Sequence, residues 1–257
     1  MSLADPWRLA VGTLTVWRVR APAQVDRRIA AAAMLLAPLA VLPLGVVAGL
    51  VVWIGTRLGL PDLLLGLLVV GALALGTRVM HWDGLSDLAD GLTASYDRER
   101  ALAVMKTGTS GPAGGIALLV VAGVQAVGFA ALPADGWGAV LAGVVVCASR
   151  GSLALCCLRG VPSARPDGLG GAFAGSVSRA AGLLLWAVVV AALVAAAAAA
   201  GLGWWPALAA GGLALMVVGA LLVHVGRRLG GVTGDVFGAA IELVLAALLV
   251  GLLMSPA

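Results

Sequence analysis

Ala180-Ala181-Gly182-Leu183-Leu184-Leu185-Trp186-Ala187-Val188-Val189-Val190-Ala191-Ala192-Leu193-Val194-Ala195, continued by alanine to Ala200, carries no charge between Arg179 and Gly201. A helix of this length covers about 30 Å, the thickness of a bilayer's hydrocarbon core. Working outward, similar stretches run over residues 30–54, 60–79, 113–132, 137–158, 204–224 and 236–254. The 257 residues are 62% hydrophobic and only 11% charged, against about 25% charged in soluble domains. A soluble helical solenoid would need many more charges on its outer faces. The reading is an all-α, polytopic transmembrane helical bundle of about seven spans, forming a single integral membrane domain over residues 1–257.

Pro38 and Pro43 are expected to kink the first span, which membrane helices tolerate because neighbours satisfy the freed backbone groups. Gly45 with Gly49, Gly111 with Gly115, and the Ala195–Ala200 tract permit close helix contact. Residues 1–20 lack the basic-then-apolar order of a secretory signal. The three cysteines, Cys147, Cys156 and Cys157, have no metal-ligand spacing and read as packing.

Charge gives the bundle a direction. Of the sixteen Lys and Arg, fourteen fall in segments on one side of the layout: Arg8, Arg18, Arg20, Arg27, Arg28, Arg78, Arg98, Arg100, Lys106, Arg159, Arg165, Arg179, Arg227 and Arg228. Only Arg57 falls opposite, and Arg150 lies within a span. The positive-inside rule then places the N-terminus in the cytoplasm and the C-terminus outside a bacterial inner membrane. The basic balance reports orientation, so the expected partner is the lipid bilayer and not nucleic acid. Asp83, Asp87, Asp90, Asp97, Glu99, Asp167 and Asp235 gather on the cytoplasmic side too. A functional site open to that side is expected.

His81-Trp82-Asp83-Gly84-Leu85-Ser86-Asp87-Leu88-Ala89-Asp90-Gly91 is the densest chemistry in the chain. On a helix, Asp83, Asp87 and Asp90 stand at i, i+4 and i+7, within an arc of about 60°. Like charges this close repel, and more so when desolvated near a membrane. A hard divalent cation relieves both costs and keeps positions open for phosphate oxygens. The expectation is a Mg²⁺ site formed by these three aspartates, against the plainer reading of a solvated acidic face. His81 precedes them as a general base, a ligand, a phosphate donor or an ordinary hydrogen-bonded histidine. It would point roughly opposite Asp83 if the helix began there.

Three later segments bear on the same chemistry. Lys106-Thr107-Gly108-Thr109-Ser110-Gly111 leads into a span and suits either an anion or a simple turn. Arg165-Pro166-Asp167-Gly168-Leu169-Gly170-Gly171 is a glycine-rich loop whose arginine can clamp a phosphate. Arg227 and Arg228 precede Gly230-Gly231-Val232-Thr233-Gly234-Asp235. Asp235 shares a helix face with Glu242, an intramembrane carboxylate that either completes the metal site or pairs with Arg150. His224, at a span end, reads as interfacial.

Together these segments resemble the cobalamin synthase family, the adenosylcobinamide-GDP ribazoletransferases. The run from His81 is similar to that family's H-x-D-G-L-A-D-x-x-D-G signature. Arg100-Ala101-Leu102-Ala103-Val104-Met105-Lys106 is similar to its R-x-L-x-x-M-K element. The loops at 165–170 and 230–235 match in order, and Leu14-Thr15-Val16-Trp17-Arg18 is a looser likeness. Ser86 stands where the family usually has alanine, and Thr107 where it often has an acid. The resemblance implies an Mg²⁺-dependent transferase that joins adenosylcobinamide-GDP to α-ribazole, or its 5′-phosphate, and releases GMP. It implies catalytic roles for His81, Asp83, Asp87, Asp90 and Asp235, and substrate phosphates held by Lys106, Arg165, Arg227 and Arg228. It leaves open a homo-oligomer or a complex with other cobalamin-pathway enzymes.

Two other functions fit the sequence less well. A CDP-alcohol phosphotransferase requires an Asp-Gly-x-x-Ala-Arg run, which Asp83-Gly84-Leu85-Ser86-Asp87 lacks. An ion-coupled transporter needs functional groups reachable from both faces, whereas the outer loops 132–136 and 201–206 are nearly free of charge.

Overall fold

The computed structural model describes residues 3–254, so the first two and last three residues of the expected domain lie outside the described part. A short helix, α1 (Ala4–Leu14), packs on α2 (Arg27–Ala40), which continues after a break at Val41 as α3 (Leu42–Arg57). Then follow α4 (Asp62–Gly76), α5 (Met80–Ala94), α6 (Arg98–Val104), α7 (Pro112–Ala130), α8 (Gly136–Ser149) and α9 (Gly151–Cys156). The short α10 (Leu169–Phe173) precedes α11 (Arg179–Ala199), α12 (Trp205–Leu229) and α13 (Gly234–Leu252). No strand is present among the described residues, only two isolated bridges.

Six helical segments are long and apolar enough to cross a membrane, with α2–α3 and α8–α9 each counted as one, and a seventh arises if α4 and α5 form one bent span. The chain is therefore a multi-pass helical membrane protein, as its composition implied. The exception to the expected layout is the second span. Residues 60–79 do not form one straight helix: α4 has 15 residues, about 22 Å long against a core of about 30 Å, and α5 turns away from it by 93°. Arg78 and Val79 both adopt positive φ, 56° and 61°, a conformation unfavourable for side chains with a Cβ. Tertiary contacts hold the turn. The Val16 amide donates to the Gly76 carbonyl at 2.8 Å, and Arg78 donates to the Gly12 carbonyl at 3.1 Å.

α13 lies at the centre. Its residues are buried along almost the whole length, and it packs on α5, α7, α8, α9 and α12. α7, α11 and α12 are buried on one face only, as expected of helices whose other face meets lipid. Close approach relies on glycine. A Cβ on Gly66 would fall 1.9 Å from the Ala126 carbonyl oxygen, and one on Gly49 2.7 Å from that of Ala139. Several helix starts are capped by their own side chains: Asp26 for α2, Asp97 for α6, Asp135 for α8, Ser178 for α11 and Thr233 for α13. Each satisfies an amide that the helix leaves unpaired.

Candidate active site at one end of the bundle

The segments singled out in the sequence meet at one end of the bundle. Asp90 lies at the N-terminus of α7, whereas Gly66, early in α4, lies against Ala126 near that helix's other end. The Ala164 amide donates to the Val232 carbonyl at 2.9 Å, and Arg98 donates to the Ala164 carbonyl at 2.9 Å. Lys106 stands 3.7 Å from Asp167, both largely exposed. The segments around residues 81–110, 159–178 and 227–235 thus form one layer.

α5 and α13 cross with their backbones in contact. A Cβ on Gly84 would fall 2.9 Å from the Asp235 backbone, and one on Gly238 3.0 Å from that of His81. The glycine inside the aspartate run therefore has a physical purpose: it lets Asp235 approach Asp83 and Asp87. Asp83 is exposed and Asp87 half-buried. The Asp87 carboxylate feels the repulsion of Asp83, Asp235 and Asp90. Asp235 is braced by Thr233, whose hydroxyl donates to it at 3.2 Å, and feels the charge of Arg165.

Asp90 occupies a different position from the one its spacing predicts. Its two oxygens accept from the Gly111 amide at 2.6 Å and the Gly114 amide at 2.8 Å. It is only 7% exposed and caps α7 from another helix, where the positive end of the helix dipole favours a carboxylate. Gly111 and Gly114 fit because Cβ atoms there would fall 2.5 Å and 2.4 Å from its oxygens. Beside it Ser86 shares a 3.0 Å hydrogen bond with Ser110. This ties the 106–110 segment to α5.

His81 also stands apart from Asp83 and Asp87, as a helix beginning just before it requires. α5 does begin at Met80, so His81 points away from Asp83 into the bundle. There its Nδ1 stands 3.5 Å from Glu242. Gln125 donates to Glu242 at 2.8 Å, and the buried Arg150 acts on both His81 and Glu242 electrostatically. The Arg150 guanidinium donates to the Val146 carbonyl and the Ser149 hydroxyl. Glu242 thus joins His81 and Gln125, away from the exposed aspartates.

Among the basic residues, Arg228 is committed to structure. It donates to the Leu92 and Ser95 carbonyls at 2.9 and 2.7 Å and lies over the Tyr96 ring, closing the C-terminal end of α5. Arg165 donates to the Leu102 carbonyl. Lys106 and Arg227 remain exposed. Sequence reasoning missed Arg98, which fastens the loop at Ala164 and fills the space beside Gly230. It also missed Gln125, although a lone amide inside an apolar helix was a usable signal.

Among the described residues, no three His, Cys, Asp or Glu side chains are arranged to hold a metal ion unaided. Magnesium does not require that. It is commonly held by one or two carboxylates together with waters and substrate phosphates. The oxygen-only donor set of Asp83, Asp87 and Asp235, crowded enough for mutual repulsion, fits such a cation.

A family model described as cobalamin-5-phosphate synthase matches residues 6–253. A protein named adenosylcobinamide-GDP ribazoletransferase from a Nocardioides species is 50% identical over 252 residues, covering 96% of this chain and 97% of its own. Proteins of the same name from Frankia casuarinae and Pseudomonas putida are 39% and 34% identical, each over 96% of this chain and over 94% and 98% of their own. No solved structure matches.

Proposed function

Since the chain belongs to the cobalamin-5-phosphate synthase family, we propose that it joins adenosylcobinamide-GDP to α-ribazole, or α-ribazole 5′-phosphate, at the aspartate face where α5 crosses α13. The products are adenosylcobalamin, or its 5′-phosphate, and GMP. The carrying observation is the Gly84 crossing, which sets Asp235 beside Asp83 and Asp87 at a solvent-open end of the bundle.

Chemically, a ribose hydroxyl of α-ribazole attacks the cobinamide-bearing phosphorus of the diphosphate. A new P–O bond forms, the P–O–P bridge breaks, and GMP leaves with the bridging oxygen. Such transfers depend on positioning and charge neutralisation more than on covalent help. Asp83 and Asp87, with Asp235 facing them, would hold Mg²⁺, which when bound supplies charge neutralisation for the attacking and leaving oxygens. Lys106 and Arg227 neutralise the diphosphate from the exposed side, and Arg165 steadies Asp235. A carboxylate of this face takes the hydroxyl proton, since His81 is turned toward Glu242. Asp90 contributes by fixing the start of α7 beneath the site, and Arg228 by closing α5.

We place the protein in the bacterial inner membrane as one integral membrane domain, N-terminus in the cytoplasm, with the site opening to that side. The fourteen-to-one distribution of basic residues supports this orientation. The reading is tested by incubating purified protein with adenosylcobinamide-GDP, α-ribazole and Mg²⁺ and measuring GMP. Wild type releases it, and Asp87→Asn releases it at least about a thousandfold more slowly, a barrier increase of about 4 kcal/mol. Its melting temperature stays unchanged. A near-normal rate for Asp87→Asn removes this carboxylate from the chemistry.

A further inference from the structure

The face joining α3, α8 and α11 contains a groove of about 720 Å³. Its cause is the glycine seam between α3 and α8. A Cβ on Gly45 would fall 2.8 Å from the Gly143 carbonyl oxygen, so the two backbones touch and leave a channel between the side chains of α2, α3, α8 and α11. Leu39, Leu50 and Trp53 form one rim and Val140, Val188 and Ala192 the other. No residue lining the groove carries a charge. From Gly136 to Ala148 the groove follows α8 for about 18 Å at 1.5 Å per residue, comparable to one leaflet of hydrocarbon, about 15 Å.

Charge appears at one end, where the Asp135 carboxylate caps α8 by accepting from the Gly138 amide and one arginine stands on α3. Arg57 stands one turn beyond Trp53, with its guanidinium 5.3 Å from the centre of that ring. It is exposed, and among the described residues it makes no ion pair. It is also the single Lys or Arg at the end of the bundle opposite the aspartates. A guanidinium held over an aromatic face keeps its planar donor fork available, and that fork matches phosphate oxygens. Within a bilayer, a cation at the mouth of a leaflet-length apolar groove is complementary to a molecule with a phosphate head and a hydrocarbon tail.

We propose that this groove is a phospholipid site, with one acyl chain along the α3–α8 seam and the headgroup phosphate on Arg57. The site is separate from the aspartate face and does not depend on the reaction assigned there. It explains why an arginine stands alone at an end of the bundle otherwise free of basic residues.

The test uses the full chain purified in detergent, stripped of lipid and titrated with phosphatidylglycerol under native mass spectrometry. Wild type retains one lipid per chain. Ala192→Phe, which fills the groove from an exposed position, abolishes the retained lipid. Arg57→Gln weakens retention at least about tenfold, as loss of a charge-assisted hydrogen bond entails, and Arg57→Lys restores part of it. Gel filtration and melting temperature establish that each variant is folded. If Ala192→Phe fails to fold, the Arg57 pair carries the test alone. Equal retention by wild type and Arg57→Gln overturns the proposal. So does a mass of two chains without lipid that Ala192→Phe reduces to one, which would make the groove a contact between copies.

Discussion

α5 carries two polar regions on opposite faces, and they behave differently. On one face Asp83 and Asp87 look out toward solvent and Asp235, carboxylate against carboxylate, with Arg165 acting on Asp235. On the other, His81 is buried with Gln125, Arg150 and Glu242, where the carboxylate accepts from Gln125, stands 3.5 Å from His81 and feels the charge of Arg150. The first arrangement is electrostatically unfavourable and open, as a site for a cation and a phosphate should be. The second is closed and mixes opposite charges, although His81 Nε2, Gln125 Oε1 and Arg150 Nε have no hydrogen-bond partner among the described residues, so its effect falls on the packing of α5, α7, α8 and α13. Nearness to the signature motif therefore does not decide a residue's role, because direction on the helix does.

The two regions separate under mutation. The largest effect is the one given above for Asp87→Asn, on turnover and not on folding. Glu242→Leu should do the opposite. It removes the carboxylate whose charge acts on the buried Arg150 and leaves the Gln125 amide without its carboxylate acceptor, which costs about 1–3 kcal/mol. A large drop in melting temperature in detergent is the expected result, and Glu242→Leu combined with Arg150→Leu should recover most of it. If Glu242→Leu alone melts like wild type, the buried quartet is not a structural lock.

A smaller effect joins the two regions. Gly84→Ala brings a Cβ to within 2.9 Å of the Asp235 backbone, so α5 and α13 must separate by a few tenths of an ångström. Overpacking of this kind costs about 1–3 kcal/mol. GMP release should fall by more than the loss of stability explains, because Asp235 moves away from Asp83 and Asp87. Unchanged turnover in a folded Gly84→Ala protein would show that the spacing between these carboxylates is not critical.

Sequence reasoning captured what depends on local composition. The apolar lengths of α8–α9 taken together, α11, α12 and α13 were readable directly, and so was the one-sided gathering of basic residues. The helical wheel also placed His81 opposite Asp83. What it could not capture depended on distant partners. The 93° turn between α4 and α5 falls at Arg78 and Val79, without glycine or proline, because Gly12 and Val16 hold it from α1 and the segment after it. Asp90 shares the helical arc of Asp83 and Asp87, yet amides more than twenty residues later claim its oxygens. Arg228 likewise spends its donors on carbonyls of a helix over 130 residues earlier. Spacing identifies a shared face, and tertiary contacts decide which members of it remain free.

We propose that Asp83 and Asp87, and not Asp90 or His81, hold the magnesium ion of the reaction. The most direct test is the Mg²⁺ concentration giving half-maximal GMP release in wild type, Asp83→Asn, Asp90→Asn and His81→Gln. A rise of at least about tenfold in Asp83→Asn, or about 1.4 kcal/mol, with Asp90→Asn and His81→Gln close to wild type, is the predicted result. A rise confined to Asp90→Asn or His81→Gln, or GMP release that needs no divalent cation, would contradict it.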